Sequence, residues 1–252
     1  WVHHYINQKE VRNLKNKNYI DKIDYFIFNS NWNFKQHQLN FNVPEKKSIV
    51  IKNAIEEIDF IDKPKDKINL VYHTTPWRGL NVLISAYKKL NLKNVELNIC
   101  SSTIIYGNKF YSNYEEKFKD IFDECKKIKY AKFHGFVKHP KLINLLQKMH
   151  IFSYPSIWPE TSCVAAIEAM AASCEVVTTN LGALHETCSP FGKFVNFNKN
   201  LNILEKDFLN SLEKSIQNFW SSENQKKLKH QHAEINKLYS WHERKSEWIN
   251  FL

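Results

Sequence analysis

A chain of 252 residues, 43% hydrophobic and 14% aromatic, is long and apolar enough to bury a core of one large or two modest domains. No run approaches the ~18 apolar residues of a membrane span, and the start lacks the charged, apolar, small-residue order of a signal peptide. The net charge of +10 raises a nucleic-acid or acidic-membrane partner, but only three of the 36 basic residues are arginine, Arg12, Arg78 and Arg244. Lysines spread along the chain fit a biased composition better than a phosphate-reading surface, so nucleic acid is not the favoured partner. The chain begins at Trp1 without a Met and reads as a piece of a longer protein. Its five cysteines, Cys100, Cys125, Cys163, Cys174 and Cys188, are odd in number and widely spaced, without a C-x-x-C. They read as reduced, buried residues of a cytoplasmic protein.

In chain order, β-branched and aromatic runs predict strands at 25–29, 48–51, 68–73, 95–100, 131–137, 150–156, 175–180 and 192–197. Helical spacing of apolar residues appears at 79–90, 114–128, 141–149 and 161–172, and from residue 200 onward the pattern is helical only. Alternation of this kind predicts an α/β fold, a Rossmann-like parallel sheet covered on both faces by crossover helices. The stretch 53–67 is charged, poorly periodic and contains Pro64. It reads as the linker (54–67) between a first unit (1–53) and a main domain (68–238), with 239–252 as a terminal helix.

Ligands of such sheets bind beyond the carboxyl ends of the strands. Four of those junctions carry unusual residues, "HTTPWRG", "HGFVKH", "YPSIWPETSC" and "NLGALHE". In "PETSCVAAIEAMAA", Thr161 or Ser162 is the expected N-cap, and the amides of Ser162, Cys163 and Val164 would then point out of the helix start as an anion site. Glu160 precedes that start and Glu168 follows about two turns in. An unpaired carboxylate in so apolar a segment costs several kcal/mol, roughly the effective penalty of a buried ion. A pair of sugar hydroxyls is a suitable partner; a lysine, or exposure to water, would serve as well.

"YPSIWPETSCVAAIEAMAA" followed by "VVTTNLGALHE" resembles the E-x7-E region of the retaining glycosyltransferases of family 4, also called group 1, with the GT-B fold. "FIFNSNWNFKQHQLNFNVPEKKSIVIKNAI" is similar to the end of that fold's first domain and the crossover. "LVYHTTPWRGLNVLISAYKKL" looks like the first strand and helix of its nucleotide-sugar domain, "FHGFV" like its nucleobase loop, and "YSWHERKSEWINFL" like the helix that returns to the first domain.

The resemblance implies transfer of a sugar from a UDP- or GDP-sugar to a glycan or similar hydroxyl acceptor, with retention and without a metal or other cofactor. It gives Glu168 the ribose hydroxyls, Glu160 the donor sugar, and the amides of Ser162, Cys163 and Val164 the pyrophosphate. Arg78 would neutralise the diphosphate and stabilise the leaving group, with Glu160 the catalytic side chains expected. Gly135, Phe136 and Val137 would surround the nucleobase. His73 stands where the family often has a second phosphate-binding arginine, and His3 in "WVHHYI" would line the donor sugar from the opposite side. Only the last ~50 residues of a first domain fit into this chain, less than a domain's usual lower bound. A non-catalytic nucleotide-sugar-binding fragment is therefore the alternative reading, a nucleic-acid-binding or nucleic-acid-modifying protein a third. Peripheral membrane contact stays open.

Overall fold

The structure, a computed structural model, describes residues 1–252. The first segment holds a short helix α1 (Lys17–Asp21), strand β1 (Phe26–Phe28), helix α2 (Asn31–Phe41) and strand β2 (Ser48–Val50). β1 and β2 pair in parallel, Phe26 beside Ser48 and Phe28 beside Val50. A small core of Val11, Leu14, Ile20, Phe26, Phe28, Phe41 and Val43 lies beneath them, separate from the larger core.

The remainder is built on six parallel strands: β3 (Ile68–Tyr72), β4 (Val95–Ile99), β5 (Ala131–Phe133), β6 (Ile151–Tyr154), β7 (Glu175–Thr179) and β8 (Lys193–Val195). The helices are α3 (Leu80–Lys89), α4 (Asn108–Tyr114), α5 (Lys119–Lys127), α6 (His139–Leu146), α7 (Val164–Ala171), α8 (Leu184–Cys188), α9 (Leu201–Asn218), α10 (Ser222–Leu238) and α11 (Trp241–Phe251). All eight strands expected from the sequence form, with ends trimmed by one to four residues. β3, β6 and β7 are buried along their whole length, as strands covered on both faces must be, and their sequences INLVY, IFSY and EVVTT accordingly show little polar alternation.

The strand order is β5-β4-β3-β6-β7-β8. Counted from β3 this is the doubly wound order 3-2-1-4-5-6, whose chain reverses direction across the sheet between its first and fourth strands. Here the switch point lies between β3 and β6, where Leu70 stands beside Ile151 and Val71 beside Phe152.

The segment read as a linker is anchored along its length. Ile55 bridges to Ser240, Ile58 donates its amide to Asn236 at 2.9 Å, and both isoleucines join the larger core. Lys63 donates to the carbonyl oxygens of Gln147 at 2.9 Å, Ala172 at 2.6 Å and Leu146 at 3.3 Å. Charge, poor periodicity and a proline mark 53–67 in the sequence, and its apolar residues and one lysine have fixed partners. Helix α11 lies against the first segment, with Trp248 edge-on to Trp1 (6.1 Å between ring centres) and Phe251 to Tyr25 (5.2 Å).

Candidate active site

Three loops leave the carboxyl ends of β3, β6 and β7 and meet at the switch point. Gly79, at the end of the β3 loop, has φ +119°, and a Cβ there would lie 2.1 Å from the Pro155 carbonyl oxygen in the β6 loop. Only glycine permits that approach. Gly182, in the β7 loop, has φ +67°, and its Cβ would fall 2.6 Å from both the nitrogen and the oxygen of Glu160. Ala183 donates its amide to the Glu160 carbonyl at 2.7 Å. The backbone of Glu160 is thereby held on the β7 side, while Ile157 binds the Arg78 carbonyl at 3.3 Å on the other.

The side chains repeat that convergence. Glu160 is buried, and its Oε1 accepts from the Arg78 guanidinium at 2.6 Å and from the Tyr154 hydroxyl at 2.5 Å. Oε2 makes no protein hydrogen bond. Arg78 also donates to the Tyr106 hydroxyl at 3.1 Å and lies 5.9 Å from the Trp158 ring, while its Nε–H has no partner. Burial works against the charge on Arg78, but the Glu160 carboxylate outweighs it, with Tyr154 and Tyr106 adding to the effect, and its pKa stands above the ordinary value.

Helix α7 starts later than the sequence suggested. Its N-cap is Cys163, not Thr161 or Ser162, and no side chain caps it. Thr161 is occupied elsewhere: its hydroxyl donates to the His3 carbonyl at 2.8 Å and accepts from Asn29 at 3.2 Å, while its carbonyl accepts from Ser30 at 2.5 Å. The Ser162 hydroxyl accepts from Asn53 at 3.0 Å. The amides of Ser162, Cys163 and Val164 therefore donate to no protein acceptor.

The opposite end of α7 is saturated. The Ala171 carbonyl accepts from His232 at 2.6 Å and Asn236 at 3.2 Å, Met170 from Gln231 at 3.1 Å, and Ala172 from Lys63 at 2.6 Å. A helix whose negative end is satisfied by protein and whose positive end is open is arranged to receive an anion.

That open end faces a cleft of about 460 Å³ lined by Trp1, His3, Asn29 and Asn53 on one side and by Arg78 and residues 160–165 on the other. Of the residues singled out in the sequence, it brings together His3, Arg78, Glu160, Ser162, Cys163 and Val164. A larger hollow of about 550 Å³ lies at the opposite, amino-terminal end of β4, beside Leu90 and Ile128, away from these groups.

Glu168 does not line the cleft. It is the fifth residue of α7, just over one turn in, and its Oε1 accepts from His139 Nε2 at 2.7 Å. Burial raises its pKa and His139 opposes the rise. The partner is neither lysine nor water but an exposed histidine at the start of α6, and Oε2 is left without a protein hydrogen bond.

His73, which stands where the family often has a second phosphate-binding arginine, is a buried neutral imidazole. It is buried against the Phe152 ring, 4.7 Å between centres, its Nε2 has no partner, and burial pushes its pKa down to about 3. A neutral imidazole contributes no charge to a diphosphate site. Gly135 and Phe136 line a separate groove of about 460 Å³ with Ser102, Tyr111 and Glu115, and Phe136 is half exposed; Val137 follows, half-buried.

Several residues that shape the site were not evident in the sequence: Tyr154 and Tyr106, which hold Glu160 and Arg78, His139 on Glu168, and Glu186. Glu186 accepts from the amides of Asn31 at 2.9 Å and Trp32 at 2.8 Å, across the cleft at the start of α2. No spacing rule pairs Glu186 with residues 155 and 154 positions away.

Residues 51–237 match the family described as glycosyl transferases group 1. The chain belongs to that family. As a group 1 glycosyl transferase it also resembles solved structures: a glycosyltransferase from Rickettsia africae (18% identity, TM-score 0.75, 99% of this chain and 68% of that one); a sucrose-phosphate synthase from Thermosynechococcus elongatus (16%, 0.74, 97% and 61%); and HepE of Anabaena, in complex with UDP and glucose (13%, 0.70, 93% and 64%). At such identities the likeness establishes the Rossmann-like, GT-B type of fold. The group 1 chain spans between 61% and 68% of the length of these three. No curated protein sequence matches it. No helix is long and apolar enough to cross a membrane.

Proposed function

We propose that this chain binds a UDP- or GDP-sugar and transfers its sugar, with retention of configuration, to the hydroxyl of a glycan or similar acceptor. The observation that carries the reading is the open amino end of α7 beside Arg78. The free amides of Ser162, Cys163 and Val164 would hold the pyrophosphate, and Arg78, with Nε–H unpartnered, would balance the charge that gathers on the leaving group. With that cation and those dipoles in place, the reaction is proposed to proceed without a metal. Glu160 would accept from the sugar's hydroxyls through Oε2, Glu168 from the ribose, and His3 would face the sugar across the cleft. The turn at Gly135, Phe136 and Val137 would meet the base.

In the transfer, the bond from the anomeric carbon to the phosphate oxygen breaks as the bond to the acceptor oxygen forms on the same face. The departing phosphate takes the acceptor's proton. A sugar-cleaving role for Glu160 and Glu168 as paired carboxylates is not supported, because only Glu160 lines the cleft.

Calorimetric titration with UDP, GDP and ADP tests the proposal. Saturable binding of one nucleotide is expected, weakened about 10- to 100-fold in Glu168→Gln, the scale of a lost hydrogen bond to a charged group. No binding of any of the three contradicts it. If a nucleotide binds but nucleotide-sugar is not turned over, the chain is the non-catalytic binding fragment instead.

A further inference from the structure

The cleft is poor in positive charge. Arg78 is the only lysine or arginine that lines it, and Arg78 is already paired with Glu160 at 2.6 Å. His73, the other side chain at the end of β3, is buried and neutral at ordinary pH. A diphosphate brings at least two negative charges to a site whose one full cation is internally neutralised.

Glu160 is also well placed to keep that pairing. Its backbone is clasped by Gly182 and Ala183, and the Tyr154 hydroxyl holds the same Oε1 that Arg78 binds. The backbone of Glu160 is therefore fixed beside Arg78, so that a carboxylate drawn away by a ligand can return to it.

We propose that Glu160 competes with the donor's diphosphate for Arg78, so that the re-formed Glu160–Arg78 pair expels the nucleoside diphosphate once the sugar has left. The inference rests on the donor-site reading and adds a direction to it. While the sugar is attached, its hydroxyls engage Glu160 Oε2 and turn the carboxylate so that Oε1 leaves Arg78. When the sugar departs, nothing holds Glu160 away, and the anion loses its counter-ion. Free nucleotide is then a weaker ligand than nucleotide-sugar, beyond the loss of sugar contacts alone.

Calorimetry with UDP, GDP and inorganic pyrophosphate separates the possibilities. Glu160→Gln removes the competing charge, and Glu160→Asp keeps the charge but shortens its reach to Arg78. Competition predicts that both bind the diphosphate about tenfold more tightly than the unaltered chain, the lower end for a charge-assisted hydrogen bond. It also predicts that the gain disappears when Arg78→Gln is added, as coupled partners require. Tightening in Glu160→Gln alone would reflect bulk charge removal and would overturn the proposal. Unchanged or weaker binding in both variants would show that Glu160 positions Arg78 and would equally overturn it. Thermal unfolding of each variant establishes that it is folded; should Glu160→Gln fail to fold, the Asp variant with and without Arg78→Gln decides. Absence of binding by every folded form at millimolar nucleotide would remove the donor-site reading itself, and this proposal with it.

Discussion

The two glycines at the loop junctions carry strict demands. At Gly79 and Gly182 both the positive φ and the neighbouring backbone exclude a Cβ. Gly182→Ala is expected to move Glu160 and to destabilise the chain by about 1 to 3 kcal/mol, a strained-backbone cost, read as a lower midpoint in urea unfolding. An unchanged midpoint would mean the β7 loop relaxes freely. The buried histidines set a second prediction. His73 is held near 3 and His150 near 4, both below the ordinary 6.5 and both first by burial. Between those values the unfolded chain binds the protons that the folded chain refuses. Stability is therefore full above pH 6.5 and falls as pH is lowered toward 4, each histidine contributing a slope of about 1.4 kcal/mol per pH unit in that window. Urea midpoints measured from pH 7 to pH 4.5 check it, and a shallower fall is expected in His73→Gln. The sequence pointed to Arg78 and Glu160 through the motifs that contain them, and the structure brings both to one cleft. It placed His73 in the donor site where the family often has arginine; whether an imidazole there carries charge depends on burial, a property of the fold around it rather than of its position in the chain.

At the scale of an element, α7 is the part on which the site depends. Its sequence VAAIEAMA is rich in alanine, the best helix former, and small enough to sit close on the sheet. The start of the helix was misplaced because Thr161 and Ser162, good N-cap types, are drawn away by His3, Asn29 and Asn53. Tertiary partners outbid the local cap. Lys63 saturates the far end of α7 together with that of α6, so Lys63→Met is expected to leave the carbonyls of Gln147 and Ala172 without their donor. A loss of about 1 to 3 kcal/mol should follow, the cost of unmet buried acceptors, in the same unfolding assay. No loss would show that water replaces the ammonium. That lysine lay in a stretch read as a linker, since composition reveals charge but not where the charge docks.

Over the whole molecule, the parallel α/β architecture was the most legible feature, because continuous apolar runs alternating with helical spacing leave few arrangements besides a parallel sheet with crossover helices. The side-chain links between residues 1–53 and the rest were not legible. Across the cleft the links are polar: Asn29, Ser30 and His3 on Thr161, Asn53 on Ser162, and Glu186 on the start of α2. The two apolar cores do not merge there. Contacts of this type open at modest cost, and Glu186→Ala is expected to speed hydrogen exchange at the Asn31 and Trp32 amides by removing their acceptor. Unaltered exchange would mean that α2 is held by its own cap, Ser30.

The central claim is that the open end of α7 receives the diphosphate of a nucleotide-sugar. Amide-resolved NMR of the chain titrated with UDP, and in parallel with GDP, tests it most directly. The account predicts saturable shifts concentrated at the Ser162, Cys163 and Val164 amides, with the Arg78 side chain following at the same nucleotide concentration. Shifts that saturate elsewhere while these amides stay in place would contradict it.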